Sequence, residues 1–309
     1  AGMVPLALGT QTAGSVIRPA AFCGVWAMMP SLGAIPCTGV LKLSETLDHV
    51  GAFTTSPEDL ALAIDVMSGD DGIDPYAAGQ TPTRLRAALT GQLARPRLAF
   101  LRGPTWAEME PGCAARYEKL ADRLGAVPRD MCAEFVDIVD AHQTVMFAEI
   151  GHNMWPLMLR AGPLLSEMMR ERLVKGRSIG ADDYLQMRAR IYAMRMKFAD
   201  VMADFDAAIT APAPGEAPLG LESTGSRLQT LAWTTLGVPA VNVPGMTGPN
   251  GLPLGVQMVG RRGDDALPGG LLGGGDRHGA GDALGEAAAA RPRHARAGRA
   301  GLGGRGGVG

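Results

Sequence analysis

One stretch of the 309-residue sequence holds residue types that could make and break an acyl bond. It runs Gly9-Thr10-Gln11-Thr12-Ala13-Gly14-Ser15-Val16-Ile17-Arg18-Pro19-Ala20-Ala21-Phe22-Cys23-Gly24. Small residues surround its single serine, which lets the backbone approach a ligand closely. In a tight turn, Thr12, Ala13, Gly14 and Ser15 can aim successive N–H groups at one oxyanion. A hydroxyl beside such a nest is the minimum arrangement for acyl transfer through a serine ester. The same letters also describe an ordinary serine-bearing turn, and residue types alone leave both readings open.

Other chemistry-bearing groups are weaker candidates. Asp48-His49 completes a Ser/Asp/His set with Ser15 by letters. Adjacent residues seldom aim their side chains at each other, and Ser15 lacks the G-x-S-x-G elbow, so no such relay is expected. His142 and His152 fall in helical periodicity and read as structural or surface residues. Lys42 could approach Ser15 in principle, while Glu149 and Arg227 are candidates to line a substrate cavity. Cys23, Cys37, Cys113 and Cys132 form no Cys-x-x-Cys pair and stand at no metal-ligand spacing from a histidine. They read as free, buried cysteines in a reducing compartment, with no metal site.

The stretch resembles the signature of the amidase signature family. Gly9-Thr10, Gly14-Ser15, Arg18-Pro19-Ala20 and Phe22-Cys23-Gly24 fill its first block. The likeness continues through Pro30-Ser31, Gly39-Val40, Thr46 to Gly51 and Ser56-Pro57-Glu58-Asp59-Leu60. It returns in Phe205-Asp206-Ala207, Ala211 to Pro214, Leu236 to Ala240 and Gly251 to Gln257. The resemblance implies that Ser15 is the nucleophile and that the backbone amides of Thr12, Ala13, Gly14 and Ser15 form the oxyanion hole. It implies a second serine and a lysine that relay the proton, both upstream of the nucleophile. Fourteen residues precede Ser15, with no serine or lysine among them, so a truncated chain that is inactive alone is expected. Ala13 stands where many family members have glycine, and Met29 where many have lysine.

Local patterns supply the elements that must position these groups. Residues 56–69 read as a helix, with Ser56 as cap, Pro57 in the first turn and Glu58 and Asp59 at the positive end of the dipole. Leu60, Ala63, Ile64 and Met67 share its buried face. Helices are also expected over 114–124, 133–150, 182–204 and 228–236. The methionines of the second and third read as core filling. Strands are expected at 97–101, 207–210, 239–243 and 254–259, and the first residues, AGMVPLALGTQTAG, read as a buried apolar element entered partway through a fold. This alternation predicts an α/β fold, and the resemblance implies a twisted mixed β-sheet with helices on both faces. No repeat is visible, and one domain over 1–266 is expected, with a weak seam near 90–110.

Composition sets the limits. Net charge is −2, 46% of residues are hydrophobic and 19% are charged, which excludes wholesale disorder and gives no electrostatic case for a nucleic-acid binder. No uncharged apolar run reaches membrane-spanning length. Glycine is in excess, 43 residues, and 15 of them lie in 267–309 beside nine Ala and six Arg. That segment has no Phe, Tyr, Trp or Ile to offset its ordering entropy, so it is expected to be a disordered tail or an out-of-frame translation of a GC-rich gene. Its Gly301-Leu302-Gly303-Gly304-Arg305-Gly306 matches a dinucleotide fingerprint by letters alone, since no strand precedes it and no helix follows.

The expected function is hydrolysis of a carboxylic amide C–N bond through an acyl-serine, without cofactor or metal, on a small-molecule amide. The expected location is cytoplasmic, and a homodimer stays open. Two alternatives are the glutamine-hydrolysing component of a tRNA-dependent amidotransferase and a non-catalytic remnant that binds amides or partners.

Overall fold

The computed structural model describes residues 2–90, 96–131 and 133–266. The expectations for 267–309 and for Cys132 lie outside the described residues. The strands are β1 (Leu6–Gln11), β2 (Trp26–Met29), β3 (His49–Thr54), β4 (Leu98–Arg102), β5 (Val127–Asp130), β6 (Ala207–Thr210), β7 (Ala240–Thr247) and β8 (Pro253–Val259). They form one eight-stranded sheet in the order β1-β3-β2-β7-β8-β6-β4-β5. β4 runs parallel to β5 and β6, and the other pairs are antiparallel, so the sheet is mixed.

The helices are α1 (Ile17–Cys23), α2 (Pro57–Met67), α3 (Leu85–Thr90), α4 (Pro111–Leu124), α5 (Ile138–Asn153), α6 (Trp155–Ala161), α7 (Glu167–Arg177), α8 (Ala181–Val201) and α9 (Leu228–Leu236). Two apolar clusters cover opposite faces of the sheet. Met28, Ile209 and Met258 turn toward α2 and α4, whose Leu60, Ile64, Tyr117 and Leu120 share that cluster. Ala27, Met29, Ala208 and Val259 turn the other way, toward Ile17 of α1, Val145 of α5, Phe198 of α8 and Trp233 of α9. Alternate residues of one strand thus face two buried layers, which is why these strands read as continuous apolar runs rather than alternating ones.

The expected elements form with shifted ends. Ser56 Oγ accepts from the Asp59 amide at 3.1 Å and starts α2. Gly125 closes α4 at φ +64°, the left-handed geometry that favours glycine. The helix expected from 133 begins at Ile138, after a short 3₁₀ turn over Ala133–Phe135. Among the methionines, Met146, Met154, Met194 and Met202 are core, but Met168 and Met196 are more than half exposed.

Two expectations are corrected. The N-terminal apolar stretch is not buried: β1 is an edge strand, and Leu8 on it is 60% exposed. An edge strand has a neighbour on one side only, so an apolar sequence there does not guarantee cover. The cysteines are free at all three described positions, but Cys113 alone is buried, while Cys37 is intermediate and Cys23 exposed at the end of α1. Among the described residues no helix is long and apolar enough to cross a membrane.

Candidate active site

The strand-to-helix corner between β1 and α1 spans residues 12–16. Ser15 is exposed on it, while Ala13, Gly14 and Val16 beside it are buried. No side-chain cap serves the start of α1. The Gln11 side chain takes that role from the end of β1: its Oε1 accepts from the Val16 amide at 2.8 Å and from the Ile17 amide at 3.0 Å. These are helix-start donors that the helix itself cannot satisfy. Gln11 Nε2 donates to Thr234 Oγ1 at 2.9 Å and to Met29 Sδ at 2.8 Å. Met29 is fully buried and places a soft sulfur acceptor under the turn.

Thr12, Ala13 and Gly14 are each set against a segment distant in sequence. Thr12 Oγ1 donates to Asp48 Oδ1 at 2.6 Å, and Asp48 Oδ2 accepts from the amides of Leu43 and Ser44. Burial pushes the Asp48 carboxyl above its ordinary range, and the hydrogen bonds from Thr12, Ser44 and Leu43 oppose that. The Ala13 carbonyl accepts from Thr234 Oγ1 at 2.8 Å. Gly14 lies against α9 so closely that a Cβ there would stand 2.1 Å from Thr230 Oγ1 and 3.3 Å from Arg227 Cβ. Glycine is required at this position by close approach, since Gly14 is absent from the positive-φ glycines. Among the described residues, no acceptor takes the N–H groups of Thr12, Ala13, Gly14 or Ser15, and no side chain hydrogen-bonds to Ser15 Oγ.

The remaining candidates separate. His49 is buried, with Nδ1 2.7 Å from the Leu47 carbonyl, and burial lowers its pKa to about 4. It forms no relay with Asp48, whose oxygens are taken by Thr12, Leu43 and Ser44. His142 is fully buried with Nδ1 2.8 Å from Thr235 Oγ1, and burial lowers it to about 3. His152 is exposed on the last turn of α5. Lys42 pairs with Glu45 at 3.0 Å on the surface.

Glu149 is buried and saturated. It accepts from Ser44 Oγ, from the Thr46 amide at 3.1 Å and hydroxyl at 2.9 Å, and from Tyr184 OH at 2.7 Å. It thereby anchors the 43–48 loop that presents Asp48 to Thr12. It also lines a cavity of about 390 Å³ with His152, Arg177 and Tyr184, but Ser15 is not among that cavity's walls. Arg227, by contrast, lies directly against the Ser15 turn.

Sequence reading missed the supporting residues. Gln11 is a polar side chain, 1% exposed, ending an apolar strand. Thr230, Thr234 and Thr235 are fully buried polar residues within LQTLAWTTL. That density of hydroxyls on a wholly buried helix was the available signal.

A mixed sheet covered by helices on both faces, with an exposed serine on a strand-to-helix turn, defines the class. A family model described as Amidase matches residues 1–267, and the chain belongs to that family. It is 32% identical over 275 residues to AtzE, a component of the 1-carboxybiuret hydrolase of Pseudomonas sp. (strain ADP), a match covering 84% of this chain and 60% of the relative. It is 28% identical over 296 residues to the A component of the glutamyl-tRNA(Gln) amidotransferase of Thermotoga maritima, covering 85% of this chain and 62% of that protein. The chain thus spans about three-fifths of the length of these relatives.

Two solved structures share its fold. One is described as "An unexpected vestigial protein complex reveals the evolutionary origins of an s-triazine catabolic enzyme", with TM-score 0.80, 27% identity and coverage of 92% of this chain and 63% of that one. The other is 6-aminohexanoate cyclic dimer hydrolase, with TM-score 0.76 and 23% identity, covering 94% of this chain and 66% of that one.

Proposed function

We propose that this chain carries the nucleophile half of an amidase. Ser15 Oγ attacks the carbonyl carbon of a carboxylic amide, and the N–H groups of Thr12, Ala13, Gly14 and Ser15 receive the oxyanion. Collapse of the tetrahedral intermediate breaks the C–N bond, releases ammonia or an amine, and leaves an acyl ester on Ser15. Water then cleaves that ester to a carboxylic acid and restores the hydroxyl. The single observation that carries the reading is an exposed serine hydroxyl on a turn whose four consecutive N–H groups have no acceptor among the described residues. Gln11 accepting from the Val16 and Ile17 amides, Thr12 donating to Asp48, Thr234 donating to the Ala13 carbonyl and Thr230 packed against Gly14 hold that turn, the preorganisation an oxyanion site needs.

The proton acceptor for Ser15 is not among the described residues. Lys42 is paired with Glu45, and His49 and His142 are enclosed in the core. Family resemblance assigns the role to a lysine and a second serine upstream, so residues 1–266 alone bind and polarise an amide but turn it over slowly. The amidotransferase relatives favour one narrower alternative, glutamine as the amide donor.

A fluorophosphonate probe tests the assignment. In a longer chain that supplies the upstream lysine and serine, it is expected to label Ser15, with the adduct mapped by mass spectrometry, and to leave Ser15→Ala unlabelled. Labelling that survives Ser15→Ala refutes the nucleophile, and glutamine as the best of a panel of amides selects the alternative.

A further inference from the structure

The outer face of α8 is apolar where a surface helix is ordinarily polar. Its inner face is conventional: Ile191, Met194 and Phe198 are buried in one cluster with Val145 of α5 and Trp233 of α9. Turned away from that cluster, Leu185, Tyr192 and Met196 are 60%, 66% and 56% exposed, and Ala189, Ala193 and Ala199 are exposed among them. Leu185, Ala189, Tyr192, Met196 and Ala199 follow one another at steps of four, three, four and three residues. Such steps draw one seam along a helix, the seam on which two helices pack. Single exposed apolar residues are ordinary on a protein surface, but a continuous seam over about four turns marks an interaction site.

The order of sizes along the seam identifies its partner. Large and small side chains alternate, with Ala193 beside Tyr192 at the centre. Laid antiparallel on a copy of itself, about a two-fold axis beside residues 192 and 193, the seam sets every large residue on an alanine. Leu185 faces Ala199, Met196 faces Ala189 and Tyr192 faces Ala193 of the second copy. The alanines let the two helix axes approach, and the large side chains fill the space they leave. A two-fold contact requires a surface complementary to itself in this way. A parallel pair would instead set leucine on leucine and tyrosine on tyrosine, with gaps at the alanines.

The charges are compatible with that register. Asp182 falls opposite Ala203 and Asp200 opposite Leu185, so the acidic ends of α8 do not confront each other. Arg188 and Lys197 do fall opposite each other, but each is engaged within its own copy. Arg188 Nη1 donates to Tyr184 OH at 2.9 Å, and Lys197 pairs with Glu134 and Asp200 at 3.9 Å each.

We propose that α8 is the two-fold interface of a homodimer of this chain, built by antiparallel packing of Leu185, Ala189, Tyr192, Met196 and Ala199 against the same residues of a second copy. The inference is independent of the reading of Ser15. One helix pair lies at the low end of stable interface sizes, so the dimer forms in the micromolar range.

Sedimentation equilibrium of the full chain, from about 2 to about 200 µM, is expected to show a monomer–dimer equilibrium. Tyr192→Glu and Met196→Glu each bury a charge at the seam and are expected to weaken association by about 100-fold or more. Both positions are exposed in the single chain, so the fold is expected to survive, which far-UV circular dichroism checks. Leu159→Glu makes the same change at a 73% exposed leucine on α6 and should leave association unchanged. Ala199→Leu sets leucine on leucine and is expected to weaken the dimer about tenfold. Adding Leu185→Ala restores a large-on-small pair and should recover most of that loss.

A chain that stays monomeric at the highest concentration overturns the proposal and leaves the seam to a different protein. Association that survives Tyr192→Glu and Met196→Glu, or that is lost in Leu159→Glu, overturns it as well. A double variant that associates no better than Ala199→Leu refutes the antiparallel pairing.

Discussion

Replacing Gln11 by leucine isolates what holds the Ser15 turn. The side chain is 1% exposed, and leucine has similar bulk, so the change removes polar contacts while largely keeping the packing. The Val16 and Ile17 amides, bonded at 2.8 and 3.0 Å, are left as buried donors without an acceptor. Each such group costs about 1–3 kcal/mol, so Gln11→Leu is expected to destabilise by about 2–6 kcal/mol. Thr234 keeps its bond to the Ala13 carbonyl, and Met29 loses a contact its sulfur does not require.

At about 2–4 °C per kcal/mol for a chain of this size, the melting temperature falls by about 4–24 °C. Urea denaturation followed by far-UV circular dichroism should give a lower midpoint at unchanged slope. Hydrogen exchange should show faster exchange at the Val16 and Ile17 amides. A loss under about 0.5 kcal/mol, or unchanged exchange at those amides, refutes the claim that Gln11 substitutes for the missing cap of α1.

Further outcomes follow from the same geometry. Gly14→Ala forces a methyl to 2.1 Å from Thr230 Oγ1 and is expected to destabilise by about 1–3 kcal/mol in the same melts. Adding Thr230→Ala should recover part of that loss, and purely additive losses would contradict the contact. His49 and His142 are lowered by burial to about 4 and about 3, below the ordinary 6.5. The unfolded chain therefore takes up their protons first, so their contribution is complete above pH 6.5 and is lost as pH falls toward 4 for His49 and toward 3 for His142. The loss is on the order of 3 kcal/mol per histidine. Urea midpoints measured across that window should fall, and His142→Gln should flatten the slope while lowering stability at pH 7.

Much of the fold is written in short-range pattern. Ser56-Pro57-Glu58-Asp59 starts α2, Gly125 stops α4, and the apolar runs at β4, β6 and β8 mark strands because caps and periodicity act over a few residues. β2 and β3 escaped notice, since WAMM and HVGAFT are short and buried on both faces and so show no alternation. The strand β1 misled in the other direction: its apolar letters imply burial, and its place at the sheet edge denies it.

The sequence by itself determined the family, the serine and the small-residue turn, because a contiguous block of letters carries them. Tertiary structure alone decided what holds that turn. Thr234 meets Gln11 across 223 positions, Glu149 reaches Ser44 across 105, and Arg227 packs on Gly14 from the far end of the chain. Glu149, a candidate cavity wall by sequence, lines a cavity that Ser15 does not reach and also anchors the 43–48 loop, and His49 and His142 are structural because burial disfavours their charged form. Such roles depend on which distant backbones come within hydrogen-bonding reach, and neither periodicity nor propensity encodes a distance between residues two hundred positions apart.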